Sequence, residues 1–183
     1  MYGMVNRALQ DMVSRQHGAA TWQQVCQRVG VEDEFFLSNQ PYPDELTYGL
    51  VTTTAEVIGW PVEELLVAFG EWWVLDTAAK GYGPLMAVTG RSLGEFLHNL
   101  DQLHTRVAMI YPQLRPPQLS CTDLTSHSLE LHYVSSRAGL TNFVVGLVRG
   151  LAKRFGVAVH VELRASRARG ADHDVFLVDW SAP

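Results

Sequence analysis

The 183-residue sequence predicts an α+β fold with a small antiparallel sheet. Two observations carry this. Apolar residues recur at helical spacing through the first two thirds of the chain. From Gln118 the period shortens, and Leu129-Glu130-Leu131-His132-Tyr133-Val134 alternates as a strand does. The order is helices, a strand pair, a helix and a second strand pair, which is an α+β arrangement.

The elements follow in order. Val5, Leu9, Met12 and Val13 mark a helix over 2–16, stopped at His17-Gly18 with Gly18 as its C-cap. Thr21 to Val29 is a short helix ended by Gly30. Asp44 to Ile58 is entered after Pro41-Tyr42-Pro43, with Asp44 expected as N-cap. A soft lobe boundary is expected near residues 59–62, inside a single domain of residues 1–183. Pro61 suits the first turn of the next helix, along which Leu65, Leu66, Phe69, Trp72 and Trp73 run. Gly81-Tyr82-Gly83-Pro84 reads as a turn. Ser92-Leu93-Gly94-Glu95 is a capping-box pattern that opens a long helix, continuing to Tyr111 and stopping before Pro112. A Pro-rich stretch, 112–117, separates it from the strands. Thr141 to Phe155 is helical and ends at Gly156; Val157 to Leu163 and Asp174 to Trp180 read as strands.

Composition narrows the function classes. Hydrophobic residues make up 47% and charged residues 18%, which argues against disorder. Lys+Arg is 14 and Asp+Glu 19, a net charge of −5, so no nucleic-acid partner is expected. Cys26 and Cys121 cannot build a disulfide framework or a four-cysteine zinc site. No apolar run approaches the ~20 residues of a membrane span. The N-terminus lacks the apolar core of a signal peptide. A soluble, cytoplasmic protein is expected.

The helix 92–111 carries the first chemical signal. At about 100° per residue, Leu93, Leu97, Leu100, Val107 and Tyr111 lie within roughly 60° of His104. His98 points away, beside Asp101, Gln102 and Thr105. His104 is therefore either a core histidine bonded to a backbone carbonyl or a metal ligand on an apolar wall. Zinc wants three or four protein ligands, and only Asp101 lies within one turn. Haem needs one.

The second signal is Tyr133-x-Ser135-x-Arg137. In an extended segment the three share a face, spanning about 13 Å at ~3.3 Å per residue. Two hydroxyls and a guanidinium suit carboxylates or phosphates. Alone, they also fit a solvated strand end. Together with His104 they fit one ligand, haem, which presents an iron and two propionates.

These residues resemble a known family, the H-NOX domains (haem nitric oxide/oxygen binding). The family includes bacterial stand-alone sensors and the N-terminal domain of the soluble guanylate cyclase beta subunit. The resemblance rests on Met1-Tyr2-Gly3-Met4-Val5-Asn6-Arg7-Ala8-Leu9, Asn99-Leu100-Asp101-Gln102-Leu103-His104, and Tyr111-Pro112-Gln113-Leu114-Arg115-Pro116-Pro117. It continues through Leu131-His132-Tyr133-Val134-Ser135-Ser136-Arg137-Ala138-Gly139-Leu140 and Ala171-Asp172-His173-Asp174. It implies about seven helices and a four-stranded antiparallel sheet, in two lobes around b-type haem. It implies His104 as axial iron ligand, Tyr133, Ser135 and Arg137 on the propionates, and Pro117 pressing on the haem. Met1, Val5 and Leu100 join the cofactor-contacting set.

The resemblance also addresses the gas. Oxygen binders of the family carry a distal tyrosine; the matching position is Phe143, which has no donor. Trp73 falls on the distal side by family position, and Asn142 neighbours Phe143. An apolar pocket favours NO and CO over O2 by omitting a hydrogen bond. The alternative is an O2-binding member of the family. No cyclase, kinase or methyl-accepting segment follows the last strand, so output in trans is expected, to a histidine kinase or a cyclic-nucleotide enzyme.

Other features have plainer readings. Cys121 is a redox candidate or a small core residue. Asp172-His173-Asp174 is a metal or acid/base candidate, or a turn before the last strand. Arg164, Arg167 and Arg169 form a basic cluster in a hairpin loop. No Ser-His-Asp set, P-loop or carboxylate pair is evident, so no enzyme is expected. A peroxidase-type haem enzyme would need a distal His or Arg. A haem-free interaction module, with Tyr133, Ser135 and Arg137 on a partner's carboxylate, is the remaining rival.

Overall fold

The computed structural model describes residues 1–31, 36–111 and 113–181. The helix stop expected at Pro112 and the chain end at Pro183 lie outside these residues. The chain divides into two compact units, Met1–Phe69 and Gly70–Pro183.

The first unit contains α1 (Gly3–His17), α2 (Ala19–Val29) and α3 (Asp44–Ile58), and α4 (Val62–Trp72) begins in it. Leu9, Met12 and Val13 of the expected α1 stripe are buried and Val5 is half-buried; Trp22, Val25 and Leu50 are buried as well. Gly30 and Gly59 take left-handed conformations (φ 76° and 73°) that end α2 and α3. Asp44 differs from expectation. It is the first helical residue, Pro43 holds the cap position, and the Asp44 carboxylate is bonded to the N-terminal ammonium of Met1. That ammonium also donates to the Tyr42 carbonyl at 2.5 Å.

The unit division falls between Phe69 and Gly70, inside α4, rather than near residues 59–62. Gly59 does stop α3, but the Pro61 carbonyl at once accepts from Glu64 and Leu65 (both 3.1 Å) and starts α4. A break between helices is thus not the break between units.

The second unit holds a π-helical turn (Trp73–Ala78), α5 (Ala79–Thr89), α6 (Leu93–His98), α7 (Leu100–Ile110) and α8 (Thr141–Phe155). Its four strands are β1 (Gln118–Thr122), β2 (Ser128–Val134), β3 (Val159–Ala165) and β4 (Asp174–Trp180). They form one antiparallel sheet in the order β1-β2-β4-β3. Leu129, Leu131 and Tyr133 of β2 and Phe176 and Val178 of β4 point into the core. Leu93, Phe96 and Leu97 of α6 and Val144, Val148 and Leu151 of α8 join the same core.

Two helical expectations meet the structure here. The break expected at Gly81 to Pro84 is a sharp kink: Tyr82 (φ −134°, ψ 18°) leaves helical geometry, and the two helical stretches that make up α5 meet there. The Tyr82 hydroxyl is hydrogen-bonded to that of Tyr111 at 3.0 Å. Counting α4, the π turn and the kinked α5 as one rod, the described residues contain about seven helical rods. The expected helix 92–111 is also two helices, α6 and α7, separated at Asn99 (φ −95°, ψ 6°). The Asn99 side chain donates to the Thr89 carbonyl at 2.9 Å, which holds the bend. Ser92 caps α6 as expected, accepting from Glu95 N at 3.3 Å. Glu95 reaches back to Arg91 N at 2.8 Å.

Three glycines set how closely α8 lies against the start of this unit. A Cβ on Gly70 would fall 2.3 Å from the Phe143 carbonyl oxygen and 2.7 Å from Leu147 N. A Cβ on Gly150 would fall 2.9 Å from Val74 Cβ. Gly146 is itself buried at this contact. No larger residue allows backbones this near.

Candidate functional site

The site-forming residues of the second unit fall into three groups. The first is α7. Leu100, Leu103, His104 and Val107 are half-buried along one face, whereas Asp101, Gln102, Thr105 and Arg106 are exposed. His98, on α6, is exposed.

His104 Nδ1 is buried and has no hydrogen-bond partner among the described residues. Burial pushes the His104 pKa below its ordinary value; the Pro117 carbonyl and the Asp101 charge act in the opposite direction. The Pro117 carbonyl does not reach hydrogen-bond geometry with Nδ1. A satisfied core histidine would show such a bond; His104 does not. Among the described residues no three His, Cys, Asp or Glu side chains come together as metal ligands. His104 therefore has no side-chain companions for a zinc-type site, and its chemistry suits a metal that needs one protein ligand.

The second group is the cradle. Tyr133 is buried on β2, but the strand ends at Val134, so Ser135 and Arg137 do not continue an extended ladder. The expected straight row is replaced by a bend in which Arg137 N donates to Ser135 Oγ at 3.1 Å. The hydroxyl captures the backbone locally and turns the chain. All three side chains line one cavity of about 430 Å³, with Thr141, Arg167, His173 and Asp174. Arg137 Nη1 donates to the Arg115 carbonyl at 2.9 Å. Burial pushes the Tyr133 hydroxyl pKa up, a hydrogen bond to Ser135 opposes this, Asp174 adds to it, and Arg137 and Arg167 oppose it. The phenol is therefore a neutral donor.

Arg167 was not distinguished from Arg164 and Arg169 by sequence. Arg164 pairs with Glu162 at 3.3 Å with both side chains exposed. Arg167 instead donates through Nη1 to the Ser135 carbonyl at 2.6 Å, and its N–H donates to Asp174 at 2.7 Å. Asp174, buried, also accepts from Thr141 at 2.6 Å. The cavity thus holds two guanidinium groups, and its one buried carboxylate is already engaged by Thr141 and the Arg167 backbone. Ser166 capping the turn Arg167–Arg169 and Gly170 closing it (φ 93°) are the sequence signals of a tight turn rather than a loose loop.

The third group is aromatic. Trp73, on the π turn, and Phe143, in the first turn of α8, meet edge-on with ring centroids 6.4 Å apart. The glycine contact between Gly70 and Phe143 fixes their separation. Asn142 is half-buried beside them in sequence. Met1 and Val5 belong to the first unit, Met1 through its contacts with Tyr42 and Asp44 and Val5 on α1. Cys121, on β1, lies with Sγ 3.5 Å from the Leu97 carbonyl, and burial pushes its thiol up to about 11. A thiol held that high is a poor nucleophile at neutral pH.

A family model described as Haem-NO-binding matches residues 2–163. The chain belongs to the haem-NO-binding family. Haem-NO-binding domains bind haem and gaseous ligands, and they are sensor rather than catalytic domains. Among curated relatives, soluble guanylate cyclase gcy-35 of Caenorhabditis elegans is 31% identical over 190 aligned positions, covering 97% of this chain and 27% of that protein. Soluble guanylate cyclase 89Db of Drosophila melanogaster is 28% identical over 155 residues, 85% of this chain and 23% of that protein. The chain therefore spans about a quarter of the length of these relatives. The fold is that of solved haem-NO-binding (H-NOX) structures. An H-NOX protein from S. oneidensis in the Fe(II) state superposes with a TM-score of 0.90 at 21% identity, covering 100% of this chain and 97% of that one. The Fe(II)NO form from S. oneidensis gives 0.89, covering 100% of both chains, at 21% identity. Among the described residues no helix is long and apolar enough to cross a membrane.

Proposed function

We propose that this haem-NO-binding domain holds b-type haem through His104 and senses NO, binding NO and CO while excluding O2. His104 is the observation that carries the reading: a half-buried imidazole on the inner face of α7 whose Nδ1 is buried and unsatisfied. Haem, when bound, supplies a ferrous iron able to take a diatomic gas.

The chain's own residues divide the remaining work. Tyr133, Ser135 and Arg137 offer donors to the propionates, and the neutral phenol of Tyr133 can donate without repelling a carboxylate. Pro117 supplies a rigid apolar ring next to β1. Trp73, Phe143 and Leu100 supply apolar wall. Met1 and Val5 enter this set on the family resemblance. Phe143 offers no hydrogen bond to a bound gas, and the Trp73 ring packs edge-on against it. Stable O2 complexes draw on a distal donor, so this wall favours NO. The same two residues offer no acid or base for peroxidase chemistry.

The output follows from the helix. No residue of α7 is fully buried, and Asn99 separates it from α6. Release of His104 would free α7 to shift while α6, with Leu93, Phe96 and Leu97 in the core, stays in place. Met109 and Ile110, at the end of α7, are 78% and 62% exposed. They are suited to report that shift to a signalling protein in trans, of the histidine kinase or cyclic-nucleotide enzyme type. A ligand acts this way only by preferring the shifted state.

His104→Ala tests the assignment. The variant is expected to lose haem during purification and to recover a Soret band when imidazole is added. Unchanged haem content and spectrum without imidazole would refute it.

A further inference from the structure

A chain of polar contacts runs across the sheet to His173 at the edge of the cradle cavity. Thr122 Oγ1 lies 2.8 Å from His132 Nε2. His132 Nδ1 lies 2.9 Å from His173 Nε2. His173 Nδ1 lies 3.2 Å from the Asp172 carboxylate. The rings are tilted at 45° with centroids 5.2 Å apart. His132 is on the face of β2 opposite Leu131 and Tyr133, and both imidazoles are half-buried.

We infer that His132 and His173 form a two-imidazole site for a late first-row divalent cation, with Cu2+ its tightest ligand. Two nitrogens face each other, and each ring's other nitrogen is held by an oxygen. That outer arrangement is the one that orients metal-bound histidines. The 2.9 Å hydrogen-bonded separation is close to the about 2.8–2.9 Å at which two metal–nitrogen bonds of ~2.0 Å meet at a right angle, so little ring movement is needed for that geometry. Tetragonal coordination by nitrogen and oxygen marks Cu2+ or Ni2+, and the affinity order places Cu2+ first. No third His, Cys, Asp or Glu ligand joins the pair among the described residues, so water completes the shell.

The protons balance without loss. In the metal-free relay Thr122 donates to His132 Nε2, His132 Nδ1–H donates to His173 Nε2, and His173 Nδ1–H donates to Asp172. On binding, the His132 proton moves from Nδ1 to Nε2 and Thr122 becomes its acceptor. Both rings stay neutral, as ligands must. Each nitrogen must turn about 45° off the line joining the pair, which the broad χ2 well of histidine allows. The Asp172 side chain is fully exposed, so it orients His173 more than it holds charge.

The test uses the haem-loaded, oxidised protein titrated with Cu2+, followed by calorimetry and by electron paramagnetic resonance. One site with a two-nitrogen tetragonal copper signal is expected. His132→Asn and His173→Gln, which keep hydrogen-bonding side chains, should each weaken that site at least tenfold, and His98→Ala should leave it unchanged. Zn2+ should bind more weakly than Cu2+. The Soret band should persist in His132→Asn and His98→Ala, whose residues do not line the cradle cavity, so failure of the haem reading would register separately. Unchanged copper affinity in both His132→Asn and His173→Gln, or loss in His98→Ala alone, would overturn the inference.

Discussion

Arg167 and Ser135, thirty-two residues apart, are joined by a 2.6 Å hydrogen bond from the guanidinium to the main-chain oxygen. The bond ties the turn between β3 and β4 to the segment that leaves β2, and so fixes the residue between Tyr133 and Arg137. It couples the shape of the cradle to a residue outside the Tyr-x-Ser-x-Arg run.

Arg167→Ala should therefore loosen haem without abolishing its binding. A charge-assisted hydrogen bond open to solvent contributes about 1 kcal/mol, or roughly fivefold in an equilibrium. Transfer of haem to an acceptor apoprotein should speed up several-fold, while Arg164→Ala, whose partner is the exposed Glu162, should not change it. Equal rates in the wild type and Arg167→Ala would show that the bond does not shape the cradle.

Gly70→Ala tests the close approach of α8. The added methyl meets backbone atoms at 2.3 and 2.7 Å, and backbone cannot step aside as a side chain can. Overpacking of this kind costs about 1–3 kcal/mol. A loss of ~2–4 °C in Tm per kcal/mol is expected for a chain of this size. Gly81→Ala, with nothing within 4 Å, is the matched control and should leave Tm unchanged or slightly raised. Similar melting of both variants would contradict the packing argument.

Cys121 gives a pH prediction. Burial disfavours the thiolate and pushes the pKa up to about 11. Alkylation by iodoacetamide should be slow at pH 8 and rise about tenfold per pH unit toward pH 11. The same shift means stability is retained below the ordinary thiol pKa of about 8.5 and falls as pH rises toward 11. A rate that levels off by pH 9 would show a thiol that ionises normally.

Phe143→Tyr addresses gas choice. A phenolic hydroxyl placed beside Trp73 can donate to a bound, partly anionic O2. The reduced variant is expected to hold an oxy spectrum in air for longer than the wild type. If air affects the two proteins identically, Phe143 does not set the selectivity.

Much of the fold was legible because its limits are chemical. α8 spans Thr141–Phe155 and β4 spans Asp174–Trp180, as read, because Gly156 stops the one and strict alternation marks the other. The bend at Asn99 was not legible. Leu93, Leu97, Leu100 and Val107 keep helical spacing across it, and no glycine or proline marks the break. The turn residues of Gly81–Pro84 do mark a break, the kink at Tyr82, although helix resumes at once and runs to Thr89. His104, Tyr133, Ser135 and Arg137 could be singled out as candidates because spacing and residue type coincide. Arg167 could not, because its contact depends on how the β3–β4 turn folds back. The His132–His173 pair likewise depends on register, since β2 and β4 pair Tyr133 with Asp174.

The most direct measurement of the central claim is the absorption spectrum of the purified protein after reduction, then under NO, CO and air in turn. A five-coordinate ferrous spectrum that shifts with NO and with CO, and forms no stable oxy complex in air, is the predicted result. A haem-reconstituted protein with no Soret band, or one with a stable oxy form, would contradict the account.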